Sequence, residues 1–549
     1  VSEFAAAAAV LAVLALGARL AGRHHRLLHL FQLEHYEPAR LLLWLRRRGE
    51  LLAWRELVGV GALYGAAVAD MGAGEGWVAG GLLLASVPFG ALGVRDWRRE
   101  AVKPLVLTGR ARRLLGAALA PSALLALAML GVSLAGLTTL ALGAILALGW
   151  LSLLGAPWVL LGANRALSPL QARINRRYAR SARDRLGACA PLVVGITGSY
   201  GKTTTKFCAG AVLGADRPTL VTPASYNSLL GVTRTINEHL RREHRAFVVE
   251  MGMFRRGDIA ELCELVHPAI GVITAIGPMH LERLGSIEQI AAAKAELLQA
   301  LPPDGHFITN AQDPRCLELA RGAHVPVTLF GIEDDAAQVL ARNVRLADGR
   351  TLFDLHLDGP TGQPARVSSA LLGRHNVLNM LAAAAVGRAL GIEPASIAES
   401  LSRVQAPAHR LQPIHNRPAG IVVIDDAYNS NPAGARAALE VLAQHPAQRR
   451  LLVTPGMVEL GAMEEELNRD FGRQAGAVCD LAVLVGPTRT QPIRDGLLAG
   501  GMEERSIHVV RDIGEATSLL GRLTRSGDVV LFENDLPDTY TEADGASPE

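Results

Sequence analysis

A helical membrane domain followed by two α/β domains is the fold class that this chain of 549 residues predicts. Three observations predict it. The first third consists of long Ala/Leu/Gly/Val stretches broken by arginine clusters. From about Pro191, short β-branched strands alternate with longer helical stretches, the pattern of a parallel sheet covered by helices. After a break at Ala406-Pro-Ala the alternation restarts in GIVVIDDAY, RRLLVTPG and LAVLVG, which reads as a second, smaller α/β domain.

The amino-terminal apolar runs at about 4–20, 51–70, 76–94, 114–134 and 137–161 each approach the ~20 residues that cross a bilayer. Buried core helices are the competing reading, but runs separated by arginines favour spans. Arginines follow the first, third and fifth runs (Arg23, Arg26 and Arg46–Arg48; Arg95–Arg113; Arg165–Arg185), while the two remaining loops carry no Lys or Arg. That asymmetry predicts an outside N-terminus and cytoplasmic α/β domains. Between the first two runs, RHHRLLHLFQLEHYEPARLLLWLRRR reads as a helix pair broken at Pro38 on the inner leaflet. The resulting expectation is a multi-pass inner-membrane protein with a lipid bilayer as partner. Half of the residues are hydrophobic and the net charge is +3; no nucleic-acid partner is expected. The five cysteines include no CxxC pair, which suits reduced thiols.

The α/β part opens on GITGSYGKTTTK, Gly195 to Lys206. An apolar strand precedes it and a helix start follows, so backbone N–H groups and a helix N-terminus would face the phosphates of ATP. Gly198, Ser199, Gly201, Lys202, Thr203 and Thr204 form the cradle, with Lys202 on the terminal phosphates and the Thr203 hydroxyl on Mg²⁺. The common spacing needs a glycine where Ile196 stands, which suits a particular class of ATPase. Further on, AFVVEMG and AIGVITAIG read as strands and IEQIAAAKAELLQAL as an amphipathic helix. Near 339–372 the texture becomes that of an added antiparallel set, with turn signals at Ala347-Asp-Gly and Asp358-Gly-Pro. The domains are therefore expected at 1–165 (membrane), 186–405 (P-loop parallel-sheet ATPase) and 406–549 (a smaller Rossmann-like α/β domain), the polar tail after Asp538 fraying.

Eight segments in order then carry a resemblance: GITGSYGKTTTK, YNSLLGV, VVEMGMFRRGDI, GVITAIGPMHLERLGSIEQIAAAKAEL, LLGRHNVLNMLAAAA, AHRLQ, IDDAYNSNP and PGMVELG. The chain resembles the muramyl-peptide ligases over about 190–475, nearest the branch that adds D-alanyl-D-alanine. The resemblance implies ATP-dependent amide formation: a substrate carboxylate takes the γ-phosphate as an acyl phosphate, and an amine then displaces phosphate. It implies Glu250 and His280 as metal ligands beside Thr203, and Lys294 as a lysine carbamylated in some branches that helps to position Mg²⁺. Asn376 and Asn379 match the adenine-contacting segment, Arg410 an arginine reaching the phosphates, and Asp426 a ribose-contacting acid with Asn429 nearby. Lys202, Lys294, His280 and Arg410 are the expected catalytic residues. Partners would be a carboxylate-bearing peptidoglycan-precursor-like substrate, an amino acid or dipeptide, and other wall-synthesis enzymes.

Departures from that pattern concern the substrate. Soluble members of the family begin with a small uridine-nucleotide-binding domain, whose place is taken here by the apolar third. Where the D-Ala-D-Ala-adding branch carries Lys-Gly-Ser-Arg, this chain reads LFENDLPDTY, so Glu533 and Asp535 stand where the family has cations. The Asp-Asn-Pro-Arg stretch of the diaminopimelate-adding branch is absent. An acceptor that is lipid-linked or presented at the membrane is expected. Alternatives are a ligase of the poly-γ-glutamate or folate type, a membrane-tethered ATP-binding regulator, or an ATP-driven transporter, which the phosphate-loop spacing disfavours.

Overall fold

The computed structural model describes residues 3–47, most of 91–97, 104–134 and, apart from 280–283, 348, 417, 429 and 459, residues 139–536. One compact unit runs to Ile174, and a second from Asn175 to Leu536.

The first unit is helical: α1 (Glu3–Leu33), α2 (Pro38–Arg47), α3 (Gly109–Leu134) and the opening part of α4 (Thr139–Cys189). The break between α1 and α2 falls at Pro38, the first helical residue of α2, where a missing N–H costs nothing. Among the described residues no helix is long and apolar enough to cross a membrane. This overturns the predicted membrane domain, its orientation, the inner-membrane location and the bilayer as partner. Hydropathy cannot tell a lipid-facing side chain from one facing another helix. Leu27, Leu28, Phe31, Leu41, Leu45, Leu114 and Leu160 are buried against one another. Nor do the helices stop at their arginines. Helix α1 runs on through Arg19 and Arg23, which are only 9% and 8% exposed. Arg110 stacks 4.0 Å above the Tyr36 ring and donates to Asn164 at 3.2 Å. Arg113 donates to Gln171 at 2.7 Å. Of the other expected spans, 51–70 lies outside the described residues, and so does nearly all of 76–94.

The second unit holds two sheets. The larger contains β1 (Leu192–Thr197), β2 (Thr219–Val221), β3 (Ala246–Glu250), β4 (Ile270–Ile273), β5 (His306–Asn310), β6 (Val327–Ile332), β7 (Val339–Ala347), β8 (Arg350–His356) and β9 (Ala365–Ser369). Their order is β2-β3-β1-β4-β5-β6-β7-β8-β9, parallel through β7, with β8 and β9 added antiparallel. Alternation sends successive residues to opposite faces. Val194, Ile196 and Val248 thus enter one core, and Val193, Phe247 and Val249 the other. Burial on both faces explains why these strands are almost continuously apolar. Helices α5 (Lys202–Gly214), α6 (Ile287–Gln299) and α7 (Arg374–Ala389) lie in this part, α7 burying Ala382 to Ala385 completely.

The smaller sheet contains β10 (Gln412–Asn416), β11 (Ile421–Asp426), β12 (Arg449–Thr454), β13 (Leu481–Val485), β14 (Ile507–Val510) and β15 (Asp528–Glu533), in the order β10-β11-β15-β12-β13-β14. Only β10 is antiparallel to its neighbour. Helix α8 (Pro432–Gln444) follows β11, capped by the Asn431 side chain on the Gly434 N–H. Mixed α/β architecture with parallel sheets is what the sequence alternation from Pro191 predicts. The cysteines at 189, 208, 263, 316 and 479 are free thiols.

Candidate functional site

Both sheets present carboxyl-terminal strand ends to the site, where parallel α/β folds collect their ligands. At the end of β1 the chain turns through Gly198 (φ 153°) and Gly201 (φ 76°) into α5. Neither glycine is replaceable in place. A Cβ on Gly198 would sit 1.9 Å from Thr274 Oγ1, and one on Gly201 would sit 2.0 Å from Asn379 Oδ1. No side chain caps α5, so its first N–H groups are left for an anion.

Lys202 folds back over this loop, its Nζ donating to Gly198 O at 2.7 Å. Burial pulls its ammonium below the ordinary value and Arg410 adds to the pull, against the attraction of Glu250. Thr203 Oγ1 accepts from Arg410 Nη2 at 3.2 Å, so the linker before β10 reaches the phosphate loop. Arg410 is itself stacked on Tyr428, its Cζ lying 4.3 Å from the ring centroid. Thr204 is buried in the first turn of α5. Ser199 also makes a link within the protein. Its Oγ donates to Gly277 O at 3.0 Å and accepts from Gly277 N at 2.9 Å, tying the phosphate loop to the segment after β4.

Glu250 ends β3, in register with Ile196 on β1, and is 1% exposed. Asn227 donates to its Oε1 at 2.9 Å. Its Oε2 is ion-paired with the buried ammonium of Lys206 at 3.2 Å. Lys294 on α6 is buried, and its ammonium is held well below the ordinary value, first by burial and then by repulsion from Lys202. The two asparagines of α7 are committed within the protein. Asn379 Oδ1 accepts from Thr205 Oγ1 at 3.3 Å and its Nδ2 donates to Asn376 Oδ1 at 3.0 Å. Asn376 Nδ2 in turn donates to Leu372 O at 2.8 Å. At the end of β11, Asp426 Oδ1 accepts from Leu411 N at 3.0 Å, and burial pushes its carboxyl up to about 6. His280 and Asn429 lie outside the described residues.

The Mur ligase middle-domain family matches residues 196–387, and the family described as Mur ligase, glutamate ligase domain, matches residues 409–533. A UDP-N-acetylmuramoyl-tripeptide–D-alanyl-D-alanine ligase of Mycobacterium tuberculosis (strain ATCC 25618 / H37Rv) is 35% identical over 361 residues, covering 62% of this chain and 70% of that one. The chain belongs to the Mur ligase family. Members of this family are ATP-dependent ligases, and this chain is one of them. The enzyme of the same description from Escherichia coli (strain K12) is 32% identical over 337 residues, covering 60% of this chain and 70% of that one. Among solved structures, MurF from Acinetobacter baumannii superposes with a TM-score of 0.59 at 30% identity, covering 67% of this chain and 78% of its own. MurF from Thermotoga maritima, in complex with ADP, gives 0.59 at 26% identity over 66% and 80%.

Two residues of this Mur ligase site escape sequence reading. Lys206 follows Lys202 by one helical turn and therefore shares its face, a spacing that could have marked it. Tyr428 is the aromatic of IDDAYNSNP, and its hydroxyl donates to Ser225 Oγ. The residues present also fit a hard cation. Thr203 offers a buried hydroxyl and Glu250 a buried carboxylate whose Oε2 has the Lys206 ammonium alone beside it among the described residues. No three His, Cys, Asp or Glu side chains gather at one point among the described residues. That set suits an ion whose remaining ligands are water and phosphate.

Proposed function

We propose that this chain joins the carboxylate of a peptidoglycan-precursor peptide to the amine of an amino acid or dipeptide through an acyl phosphate. The observation that carries the reading is the convergence of Lys202, Thr203, Glu250 and Arg410 on one phosphate loop, with Arg410 supplied from the other sheet's side. In the first step a carboxylate oxygen attacks the γ-phosphorus and the bond to the β-phosphate oxygen breaks, releasing ADP. In the second, the amine nitrogen attacks the acyl carbon, phosphate departs and the nitrogen loses a proton. Both steps gather negative charge on oxygens, so fixed cations serve better than a nucleophilic side chain.

Lys202 would leave the Gly198 carbonyl for the terminal phosphates, and Arg410 would follow the transferring group from the opposite side. Thr203, Glu250 and His280 would hold Mg²⁺, which when bound neutralises phosphate charge. Asp426 would accept from the ribose hydroxyls, with Asn429 beside it. Asn376 and Asn379 would face the adenine side of the nucleotide, with Asn379 also fixing Gly201 beneath it. The relatives' names support a UDP-muramyl tripeptide as the acceptor and D-alanyl-D-alanine as the amine.

The test is phosphate release from ATP and Mg²⁺ against a panel of carboxylates and amines that includes UDP-linked muramyl tripeptide with D-Ala-D-Ala. Release that requires both substrates and disappears in Lys202→Ala is the expected result. Release indifferent to every carboxylate and amine would sink the assignment.

A further inference from the structure

Glu533 lies in the stretch LFENDLPDTY, and its surroundings explain what a carboxyl does there. It closes β15 in register with Asp426 at the end of β11, so the two side chains rise from adjacent parallel strands on the same face. Ser430 Oγ donates to Glu533 Oε1 at 2.5 Å. Ser430 N donates to Asn534 Oδ1 at 3.1 Å, Asn534 Nδ2 to Gly456 O at 2.6 Å, and Asn534 N to Asp426 O at 3.2 Å. Asn534 takes φ 72°, a backbone state that asparagine tolerates better than most residues. Ser430, Glu533 and Asn534 thus form one framework around the end of β11.

Within it Glu533 is 1% exposed and its Oε2 receives no hydrogen bond from any described group. What faces it is the Asp426 carboxylate, which can only accept. Two carboxyls in such contact must share a proton. Burial first, and then the Asp426 charge, hold Glu533 well above the usual carboxyl range. Glu533 is therefore an enclosed carboxyl that holds its proton more tightly than a surface acid does.

We infer that Glu533 is a positioning residue that, as a neutral acid, donates its proton to Asp426 and keeps that carboxylate fixed as the acceptor for the nucleotide's ribose hydroxyls. This rests on the proposed role of Asp426. The other groups facing the pair are Arg410, the Leu411 N–H, Ser430 and Asp425, the last bonded to His409 Nδ1 at 2.8 Å. None of these donates a hydrogen bond to Glu533 Oε2.

Nucleotide affinity then has an acid limb. The pair holds one proton at neutral pH, and a second arrives as pH falls through about 6, the value to which Asp426 is raised. Below that, ADP affinity falls by up to about tenfold per pH unit, because one proton competes with the ribose contact. The experiment is calorimetric titration of the full-length protein with ADP from pH 5 to 8, with melting temperatures alongside. Glu533→Gln keeps a donor of the same shape, so ADP affinity at pH 7.5 stays within about twofold of the unmodified protein. Glu533→Ala weakens it about tenfold and moves the acid limb toward neutrality. Glu533→Lys, which sets a cation beside Asp426, moves the limb to lower pH. Asp426→Asn removes the limb. Equal loss in Glu533→Gln and Glu533→Ala at unchanged melting temperature would overturn the inference, as would full affinity in Glu533→Ala or in Asp426→Asn. Those outcomes leave the ligase reading standing, whereas ADP binding that survives Lys202→Ala strikes at the phosphate loop itself.

Discussion

Lys206 illustrates how much of this site is decided one residue at a time. Its side chain is fully buried, 3.2 Å from Glu250 Oε2, and its Nζ also donates to the Ala224 carbonyl. Breaking a buried pair by removing one partner leaves an uncompensated charge, at a cost of about 3–5 kcal/mol. Lys206→Met should therefore lower unfolding stability by roughly 3 kcal/mol in denaturant titration, well beyond the usual effect of a surface lysine. Lys294 poses the opposite problem, a buried lysine facing a second lysine. Burial and the neighbouring lysine make its charged form the costly one, so it gives up its proton more readily than an ordinary lysine. A neutral amine is the form that adds carbon dioxide, losing one proton to give a carbamate. Carbon-13-labelled bicarbonate should produce a carbamate resonance that fades on acidification and is missing in Lys294→Gln. Persistence of that resonance in the variant would place the carbamate elsewhere. Sequence reading reached Lys294 and Glu250 because family motifs surround them. It missed Lys206, whose partner arrives from a strand more than forty residues away.

At the scale of elements, the phosphate loop is shaped as much by α7 as by its own glycines. Asn379 reaches Gly201 so closely that a methyl group there would land on its carboxamide oxygen. The glycine also needs φ 76°, which costs alanine roughly 1 kcal/mol or more. Gly201→Ala should thus destabilise by about 1–3 kcal/mol and abolish ADP binding. Removing the clash through Asn379→Ala should restore part of the stability and little of the binding, as read by melting and by calorimetry. The sequence pattern disclosed the loop, the strand before it and the helix after it, since all three are local. It did not disclose that Asn379 also meets Thr205 and Gly201, because motif spacing carries no information about which groups α7 packs against. The antiparallel β7–β9 addition was legible from its turns, and the amphipathic α6 from its 3.6-residue period.

Across the whole molecule, sequence reading succeeded where a periodic pattern had one physical cause and failed where it had two. Apolar runs of about twenty residues arise from lipid or from helix–helix burial, and the arginines that favoured lipid are accommodated among helices, as at Arg19 and Arg110. Of the groups that join the two sheets of the second unit, the family resemblance supplied Arg410, whereas the Tyr428–Ser225 contact was hidden because it links segments some two hundred residues apart. Arg410 meets Thr203 and Tyr428 meets Ser225, and the two donors stack on each other. A stacked pair places both contacts as one rigid piece, so that on the proposed mechanism the arginine would reach the phosphates only with the tyrosine seated. Tyr428→Phe removes the hydroxyl but keeps the stacking face, whereas Tyr428→Ala removes both. The expected outcome is a loss of about threefold to tenfold in kcat/KM for the first, corresponding to one hydrogen bond of about 1 kcal/mol. The second should lose about a hundredfold or more, mostly in kcat, because Arg410 is then free to miss the transferring phosphate. Equal effects from both variants would show that the hydroxyl alone matters and that the stack does not orient the arginine.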